Sequence, residues 1–204
     1  MIRFCDIIFS FVGLVILSPI LLIVYLCIVL ESKGGGFYRQ VRVGKNNKDF
    51  RLWKFRSMRV GSDKKGLITV GGHDNRITKM GYFIRKYKID ELPQLINVLS
   101  GDMSLVGPRP EVRKYVDMYT LEQMKVLSVR QGITDWASIE YVDENVVLSK
   151  AKDPDKTYVE EIMPAKIKYN MRWINHQTLG EYFKIIFTTF WCCYIKSRHR
   201  KAEK

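Results

Sequence analysis

Cysteine, proline and acidic residues are all scarce in this sequence of 204 residues. It has four cysteines and none lies in a CxxC pair, so a zinc knuckle has no support. The simplest interpretation is four reduced thiols in or near apolar segments. The sequence also lacks internal repeats and low-complexity tracts. Its length and apolar content therefore fit one compact domain with attachments.

Acidic residues are outnumbered by basic ones, 21 against 34, giving a net charge of +13. That balance predicts anionic partners: nucleic acid, phospholipid head groups or phosphorylated metabolites. Aromatic and basic residues alternate over residues 50–56, as in a membrane-tethered nucleic-acid binder. However, there is no helix-turn-helix, RNP or zinc-finger pattern. Because the basic run follows an apolar segment, membrane phospholipids are the better match and nucleic acid is not expected.

The longest apolar run covers residues 7–30. As one helix it would be roughly 36 Å long, which is enough to span a bilayer core. It is too long for the apolar part of a signal peptide, and no small-x-small cleavage site follows it. We therefore expect a membrane segment at the start of this chain.

Ser18 and Pro19 interrupt this run near its middle. Pro19 has no amide hydrogen, so the Val15 carbonyl loses its helical partner, and Ser18 can bond back to Leu14. Either a kinked helix crosses the membrane, or the chain turns here and leaves by the leaflet it entered. The residues alone favour the kinked span. Basic residues cluster after residue 31, so the positive-inside rule predicts that residues 31 onward are cytoplasmic under either topology.

The rest of the chain predicts an α+β fold that is mostly helical, with a small globular domain containing short strands. Strands are expected within residues 37–55 around a turn at 44–47, and a polar loop at 62–72. Helices are expected at residues 77–87, from Asp90 to Ser100, and at 111–127, 142–151 and 157–175.

Residues 179–195 are rich in aromatics and are followed by a basic tail. This pattern is typical of an amphipathic helix at the bilayer interface. The alternative is an ordinary buried C-terminal helix. We therefore divide the chain into a membrane segment (1–31), a cytoplasmic globular domain (32–178) and an interfacial helix with its tail (179–204).

Two adjacent carboxylates, Asp90 and Glu91, open the most informative stretch. Taken alone, they are best explained as the acidic start of a helix. Arg85 lies five residues upstream, and Arg109 is framed by prolines in Gly-Pro-Arg-Pro. Arginine binds phosphate bidentately, and a carboxylate that attacks a diphosphate needs its repulsion cancelled by such cations and a divalent ion such as Mg²⁺. A covalent intermediate on the carboxylate is then chemically reasonable.

Residues 90–111 resemble the signature of the bacterial sugar transferase family, the monotopic polyprenyl-phosphate phosphoglycosyl transferases. Lys54-Phe55-Arg56-Ser57-Met58 resembles the family's basic box, and residues 74–81 resemble its Asp-x-Arg-x-Thr-x-x-Gly segment. Residues 132–134 match a later Gly-Ile-Thr element. The resemblance covers residues 1–195. The chain as a whole resembles a small, minimal member of the family. The chain departs from the common pattern at Asn75, at Gln131 and at residues 135–138.

The resemblance implies an enzyme that moves a sugar-1-phosphate from a UDP-sugar to undecaprenyl phosphate and releases UMP, the first membrane step of polysaccharide assembly. It implies a re-entrant Ser18–Pro19 segment at the cytoplasmic face of the bacterial inner membrane, and it leaves room for a homo-oligomer. By resemblance Asp90 is the nucleophile and the Mg²⁺ ligand, and Glu91 completes the dyad. The residues expected to bind substrate are Arg85, Arg109, Lys54, Arg56 and Arg76.

Overall fold

The structure is a computed structural model that describes residues 1–62, 74–141 and 144–202. It is a mostly helical α+β fold with two small sheets. The strands are β1 (Phe37–Val43), β2 (Asp49–Phe55), β3 (Met103–Val106) and β4 (Gln131–Thr134). The helices are α1 (Ile2–Glu31), α2 (Lys79–Lys86), α3 (Gln94–Ser100), α4 (Arg113–Val116), α5 (Trp136–Glu140), α6 (Glu144–Lys150), α7 (Pro154–Thr157), α8 (Met163–Asn175) and α9 (Leu179–Ala202).

The apolar segment forms α1, a single helix of 30 residues that continues through Pro19. In the described part of the chain it is the helix long and apolar enough, by length and composition, to cross a membrane. The expected interruption at Ser18–Pro19 is therefore not a break in the helix. The Ser18 hydroxyl donates to the Val15 carbonyl at 2.8 Å, not to Leu14 as predicted. This bond satisfies the carbonyl that Pro19 deprives of a partner.

Both ends of α1 are fixed to the same globular domain. Near its start, Arg3 donates to the carbonyls of Val98 and Leu99 in α3. Near its end, the Glu31 carboxylate accepts hydrogen bonds from the first amides of α2, Lys79 and Met80. Most of the apolar side chains between these anchors stay exposed.

A buried carboxylate strengthens the first of these anchors. Asp6 is 1% exposed, and its Oδ1 accepts from Ser104 Oγ (3.1 Å), Leu105 N (2.9 Å) and Tyr182 OH (3.0 Å). The carboxylate therefore joins α1, β3 and α9. Leaving such a group without donors would be costly, so these contacts hold the three elements together.

Strands β1 and β2 form the predicted antiparallel hairpin, with its turn at Lys45–Asn47. The second sheet was not predicted: β3 and β4 run parallel, with Met103 opposite Gln131 and Val106 opposite Thr134. Each is four residues long and has no exposed residue, so neither shows the alternation that identifies a half-exposed strand.

The helix predicted over residues 111–127 is wrong. Helix α4 ends at Val116, and a separate 3₁₀ segment covers Gln123–Ser128. Val116 and Leu127 pack together against Val43. A straight helix would separate them by roughly 16 Å, so the chain must fold back to bring both into one cluster.

The other helix predictions are confirmed within a few residues. Helices α2, α3, α6 and α8 match the expected segments, and a π-helical turn at Tyr158–Ile162 joins α7 to α8. Most of the loop expected at residues 62–72, and the start of the helix expected at 142–151, lie outside the described residues. The thiols of Cys5, Cys27 and Cys192 are free.

The C-terminal segment is helical, as predicted, and it is buried at its start and exposed further along. Tyr182 and Ile185 in its first turns are fully buried beside Val106 and Trp173. Further along, the aromatic side chains Phe187, Phe190 and Trp191 are exposed. Helix α9 is thus a core element that changes into an exposed aromatic helix.

Candidate active site

A sharp turn positions Asp90 and Glu91 between α2 and α3. Lys88 has left-handed backbone angles (φ 58°, ψ 20°), so the chain changes direction just after α2. Ile89–Glu91 then form a 3₁₀ turn. A left-handed residue other than glycine is strained and marks a turn held in place by its surroundings. Helix α3 begins three residues after Glu91, with Pro93 at its N-cap and no side-chain cap. Asp90 therefore precedes α3 instead of capping it.

Glu91 is paired with two of the predicted cations. Its Oε1 accepts a hydrogen bond from Arg109 Nη2 and lies 3.8 Å from Lys54 Nζ. Only 14% of the Glu91 side chain is exposed, so both contacts act in a poorly solvated setting. The structure thus joins Glu91, Arg109 and Lys54, which are far apart in the sequence.

The pKa values of the Asp90 and Glu91 carboxyl groups are shifted in opposite directions. Burial raises the pKa of Asp90, and the adjacent Glu91 raises it further against the opposing effect of Lys54, Lys88 and Arg85. Burial alone would also raise the pKa of Glu91, but Arg109 and Lys54 hold it well below its usual range. Glu91 is therefore the permanently ionised partner, and Asp90 is the carboxylate whose charge is poorly compensated.

Of the two cations that face Glu91, Lys54 is the one with a lowered pKa. Its pKa is lowered from 10.5 to about 8, chiefly by burial and also by the charges of Arg109 and Arg42, although Glu91 opposes this shift. By contrast, Glu91 raises the pKa of Arg109 above the normal arginine value, so Arg109 stays charged. Only one of the two cations that face Glu91 can therefore lose its proton near neutral pH.

The parallel strands β3 and β4 carry Arg109 and Asp135 at their carboxyl ends, where ligands usually bind in such sheets. Gly107 N donates to the Thr134 carbonyl (3.0 Å), and Gly132 N donates to the Pro108 carbonyl (2.8 Å). A Cβ at Gly132 would lie 2.1 Å from Gly107 N, so this close approach requires glycine. The approach fixes the turn that presents Arg109.

Asp135 is a buried carboxylate near Arg109 that sequence reasoning did not select. Its Oδ1 accepts from Ser138 N at 2.6 Å at the start of α5. Burial raises its pKa, and hydrogen bonding with Ser138, followed by the charges of Lys166 and Arg109, partly offsets that effect. The departure from the family pattern at residues 135–138 was the available signal.

Arg56 has a different environment from the one predicted. It is buried, and its guanidinium donates to backbone carbonyls at the end of α1, where helix carbonyls lack partners. The acceptors are the carbonyls of Ile28, Ser32, Lys33, Gly34 and Gly35. Each nitrogen of the Arg56 guanidinium therefore has a backbone acceptor near the end of α1.

The remaining predicted residues lie on the α2 side. Arg76 forms a bidentate pair with Asp74, with an Nη2–Oδ2 distance of 2.6 Å. Arg85 lies in the last turn of α2, half-buried, and its charge acts on both Asp74 and Asp90. Arg85 thus remains next to the carboxylates, whereas Arg76 is bound into its own turn.

The donor set fits a magnesium ion with one protein carboxylate. No described residue donates a hydrogen bond to the buried Oδ1 of Asp90, so this oxygen is left over for another ligand. Within the described ranges, no group of three or more acidic, histidine or cysteine side chains forms a metal cage. Mg²⁺ commonly binds through one or two carboxylates together with substrate phosphates and water. Asp90 is the residue here that would hold it.

The chain matches a protein-family model described as bacterial sugar transferase over residues 1–196. A UDP-N-acetylgalactosamine-undecaprenyl-phosphate N-acetylgalactosaminephosphotransferase of Aeromonas hydrophila is 40% identical over 190 residues, 92% of this chain and 42% of the relative. Two proteins named UDP-glucose:undecaprenyl-phosphate glucose-1-phosphate transferase are also similar. That of Escherichia coli (strain K12) is 34% identical over 192 residues, 90% of this chain and 38% of the relative. That of Caulobacter vibrioides is 32% identical over 190 residues, 92% of this chain and 67% of the relative.

This chain therefore belongs to the bacterial sugar transferase family, and the resemblance drawn from its motifs is confirmed. It spans less than half the length of the Aeromonas and Escherichia relatives.

Proposed function

We propose that this chain transfers a sugar-1-phosphate from a UDP-sugar to undecaprenyl phosphate and releases UMP. The observation that carries the proposal is a buried Asp90 carboxylate beside a Glu91 already neutralised by Arg109 and Lys54. Family membership and the names of the relatives support it. So does the exposed apolar helix α1, which suits a lipid substrate.

Asp90 acts as the nucleophile. One of its carboxylate oxygens attacks the phosphorus next to the sugar, the bond from that phosphorus to the bridging oxygen breaks, and the oxygen leaves with UMP. A phosphosugar–Asp90 intermediate results. An oxygen of undecaprenyl phosphate then attacks the same phosphorus, and the Asp90 carboxylate is the leaving group. This two-stage exchange is ordinary covalent catalysis.

The cations and the second carboxylate make this attack feasible. Arg109 and Lys54 hold Glu91 and face the developing phosphate charge, and Arg85 approaches from α2. Preorganised cations of this kind supply much of the catalysis in phosphoryl transfer. When bound at Asp90, Mg²⁺ would neutralise phosphate oxygens.

The membrane arrangement supported best is a re-entrant one. Arg3 and Asp6 fasten the start of α1 to the same domain that Glu31 fastens at its end. A spanning helix would put its two ends on opposite sides of the bilayer. We therefore propose that segment 1–31 dips into the inner membrane from the cytoplasmic face and that 179–204 lies at the interface. Domain 32–178 then carries out catalysis.

The test is a panel of UDP-sugars with purified protein, Mg²⁺ and undecaprenyl phosphate, followed by release of UMP. We expect release with at least one sugar and loss of more than about 1000-fold in Asp90→Asn, because the amide cannot replace the attacking carboxylate. Asp117→Asn, at an exposed position just after α4, is the matched control and should keep wild-type turnover. Turnover of Asp90→Asn at the wild-type rate would remove Asp90 as nucleophile.

A further inference from the structure

Arg42 lies close enough to Glu91 and Arg109 for their charges to affect its pKa. Its hydrogen-bond donors, however, bond to acceptors within the protein. Its Nε and Nη2 donate to Gln40 Oε1 at 3.2 and 2.8 Å. Its Nη1 donates to the Pro110 carbonyl at 3.1 Å and to Glu111 Oε1 at 3.2 Å. Each guanidinium nitrogen thus has a protein acceptor. An arginine held in this way is better suited to support the structure around a site than to bind a ligand.

Glu111 connects Arg42 to the turn that carries Arg109. Its Oε1 also accepts from Val112 N at 2.9 Å, and its Oε2 accepts from the hydroxyl of Tyr158. Its backbone carbonyl accepts from Val43 N at 2.9 Å, which ties it to the end of β1. Both carboxylate oxygens and the main chain of Glu111 are therefore fixed.

The Arg109 turn is consequently held at both ends. On one side, Gly107 and Pro108 bond to β4. On the other side, Pro110 and Glu111 bond to Arg42 and β1. Arg109 is the residue between these two attachments. Because a 1 Å displacement of a positioned group can cost about 100-fold in rate, both attachments bear on how well the Arg109 guanidinium points at Glu91.

Electrostatics make the second attachment fragile. Burial lowers the pKa of Arg42, while Glu111 opposes this effect and Arg109 adds to it. Two arginines near each other repel, and Glu111 is the charge that lets Arg42 remain there. Removing one partner of such a buried pair strands the other. The Tyr158 hydroxyl fixes which way the Glu111 carboxylate faces.

Tyr158 comes from the π-helical turn before α8, a type of turn often found at functional sites. Its ring packs against Tyr115, with centroids 4.8 Å apart, and Lys166 lies over it at 5.5 Å. The hydroxyl thus reaches Glu111 from a rigid support.

We propose that Arg42, Glu111 and Tyr158 are positioning residues that hold the 107–110 turn and thereby aim Arg109 at Glu91. This inference rests on the proposed function. It adds a role for three residues whose side-chain hydrogen bonds go to other parts of the protein than the carboxylate dyad and which, in our mechanism, do not bind the substrate.

A double-mutant cycle on UMP release tests it. Tyr158→Phe removes one hydroxyl and leaves the ring, so we expect kcat/KM to fall about tenfold, the effect of one hydrogen bond to a charged group. In an Arg109→Ala background the same change should have almost no effect, because there is no Arg109 left to aim. Glu111→Gln should behave in the same way, and it replaces Tyr158→Phe in the cycle if that variant folds poorly.

Tyr115→Phe is the matched control, since its ring touches Tyr158 but its hydroxyl bonds to Asp155. It should keep wild-type activity in both backgrounds. Equal losses from Tyr158→Phe with and without Arg109 would mean a general structural role and would overturn the inference alone. A wild-type protein that releases UMP from no UDP-sugar would instead overturn the proposed function, and this inference with it.

Discussion

At the residue scale, the site depends on the charge of Lys54. The pKa of this lysine is lowered to about 8, chiefly by burial, so its protonation changes close to physiological pH. When it is charged, Glu91 faces two cations. When it is neutral, Arg109 is the partner that remains ion-paired with Glu91.

We expect a bell-shaped dependence of kcat/KM on pH. Activity rises on the acid side as Asp90 ionises, above its ordinary pKa of 3.8, because burial and Glu91 raise the pKa of that carboxyl. Activity falls near pH 8 as Lys54 loses its proton. Lys54→Arg keeps the charge and should move the alkaline limb to higher pH, whereas the exposed Lys48→Arg should leave it in place. An alkaline limb near pH 8 that persists in Lys54→Arg would show that another group titrates there.

The sequence could identify the residues of one motif but not their distant supports. Asp90, Glu91 and Arg109 belong to one continuous pattern, and Lys54 to a second. Arg42, Tyr158 and Asp135 reach the site through β1, the π-helical turn and β4, so their proximity depends on tertiary packing. A basic motif also cannot distinguish Lys54, which faces Glu91, from Arg56, which faces the end of α1.

At the scale of elements, local patterns predicted the hairpin and most helices. The failures occurred where packing determines the structure. The buried strands β3 and β4 lack alternation, and residues 111–127 contain apolar positions that fit a helix but pack as two separate segments. The apolar helix α1 was predicted in length but not in its contacts. Among these contacts is the capping of its end by Arg56.

Arg56→Lys tests how much that cap contributes to the fold. A lysine ammonium cannot reach all of the carbonyls that the guanidinium binds, so at least one buried acceptor loses its partner. We expect unfolding to become easier by about 2 kcal/mol, as a lower midpoint in thermal unfolding of the detergent-solubilised protein. Arg51→Lys, exposed on the neighbouring strand, should unfold like wild type. If both variants unfold at the wild-type temperature, the cap does not stabilise the protein.

At the scale of the whole molecule, the two anchors of α1 predict where its ends lie. In a chain whose cysteines are replaced by serine, Phe4→Cys reports on the start of α1, and Lys33→Cys reports on the position just after its end. In intact cells a membrane-impermeant thiol reagent should label neither, and both should react after the inner membrane is opened. Labelling of Phe4→Cys alone in intact cells would establish a spanning helix and contradict the re-entrant arrangement.

The hydrogen bonds that the buried Asp6 accepts from β3 and α9 also bear on how the protein folds during its synthesis. Its partners Ser104 and Tyr182 lie 98 and 176 residues further along the chain. At ordinary translation rates, roughly 9–35 s pass between synthesis of Asp6 and of Tyr182. For most of that interval the apolar segment is complete, but Asp6 does not yet have all of its hydrogen-bond donors. In the proposed re-entrant arrangement, we therefore expect α1 to enter the bilayer before its Asp6 contacts to β3 and α9 are complete.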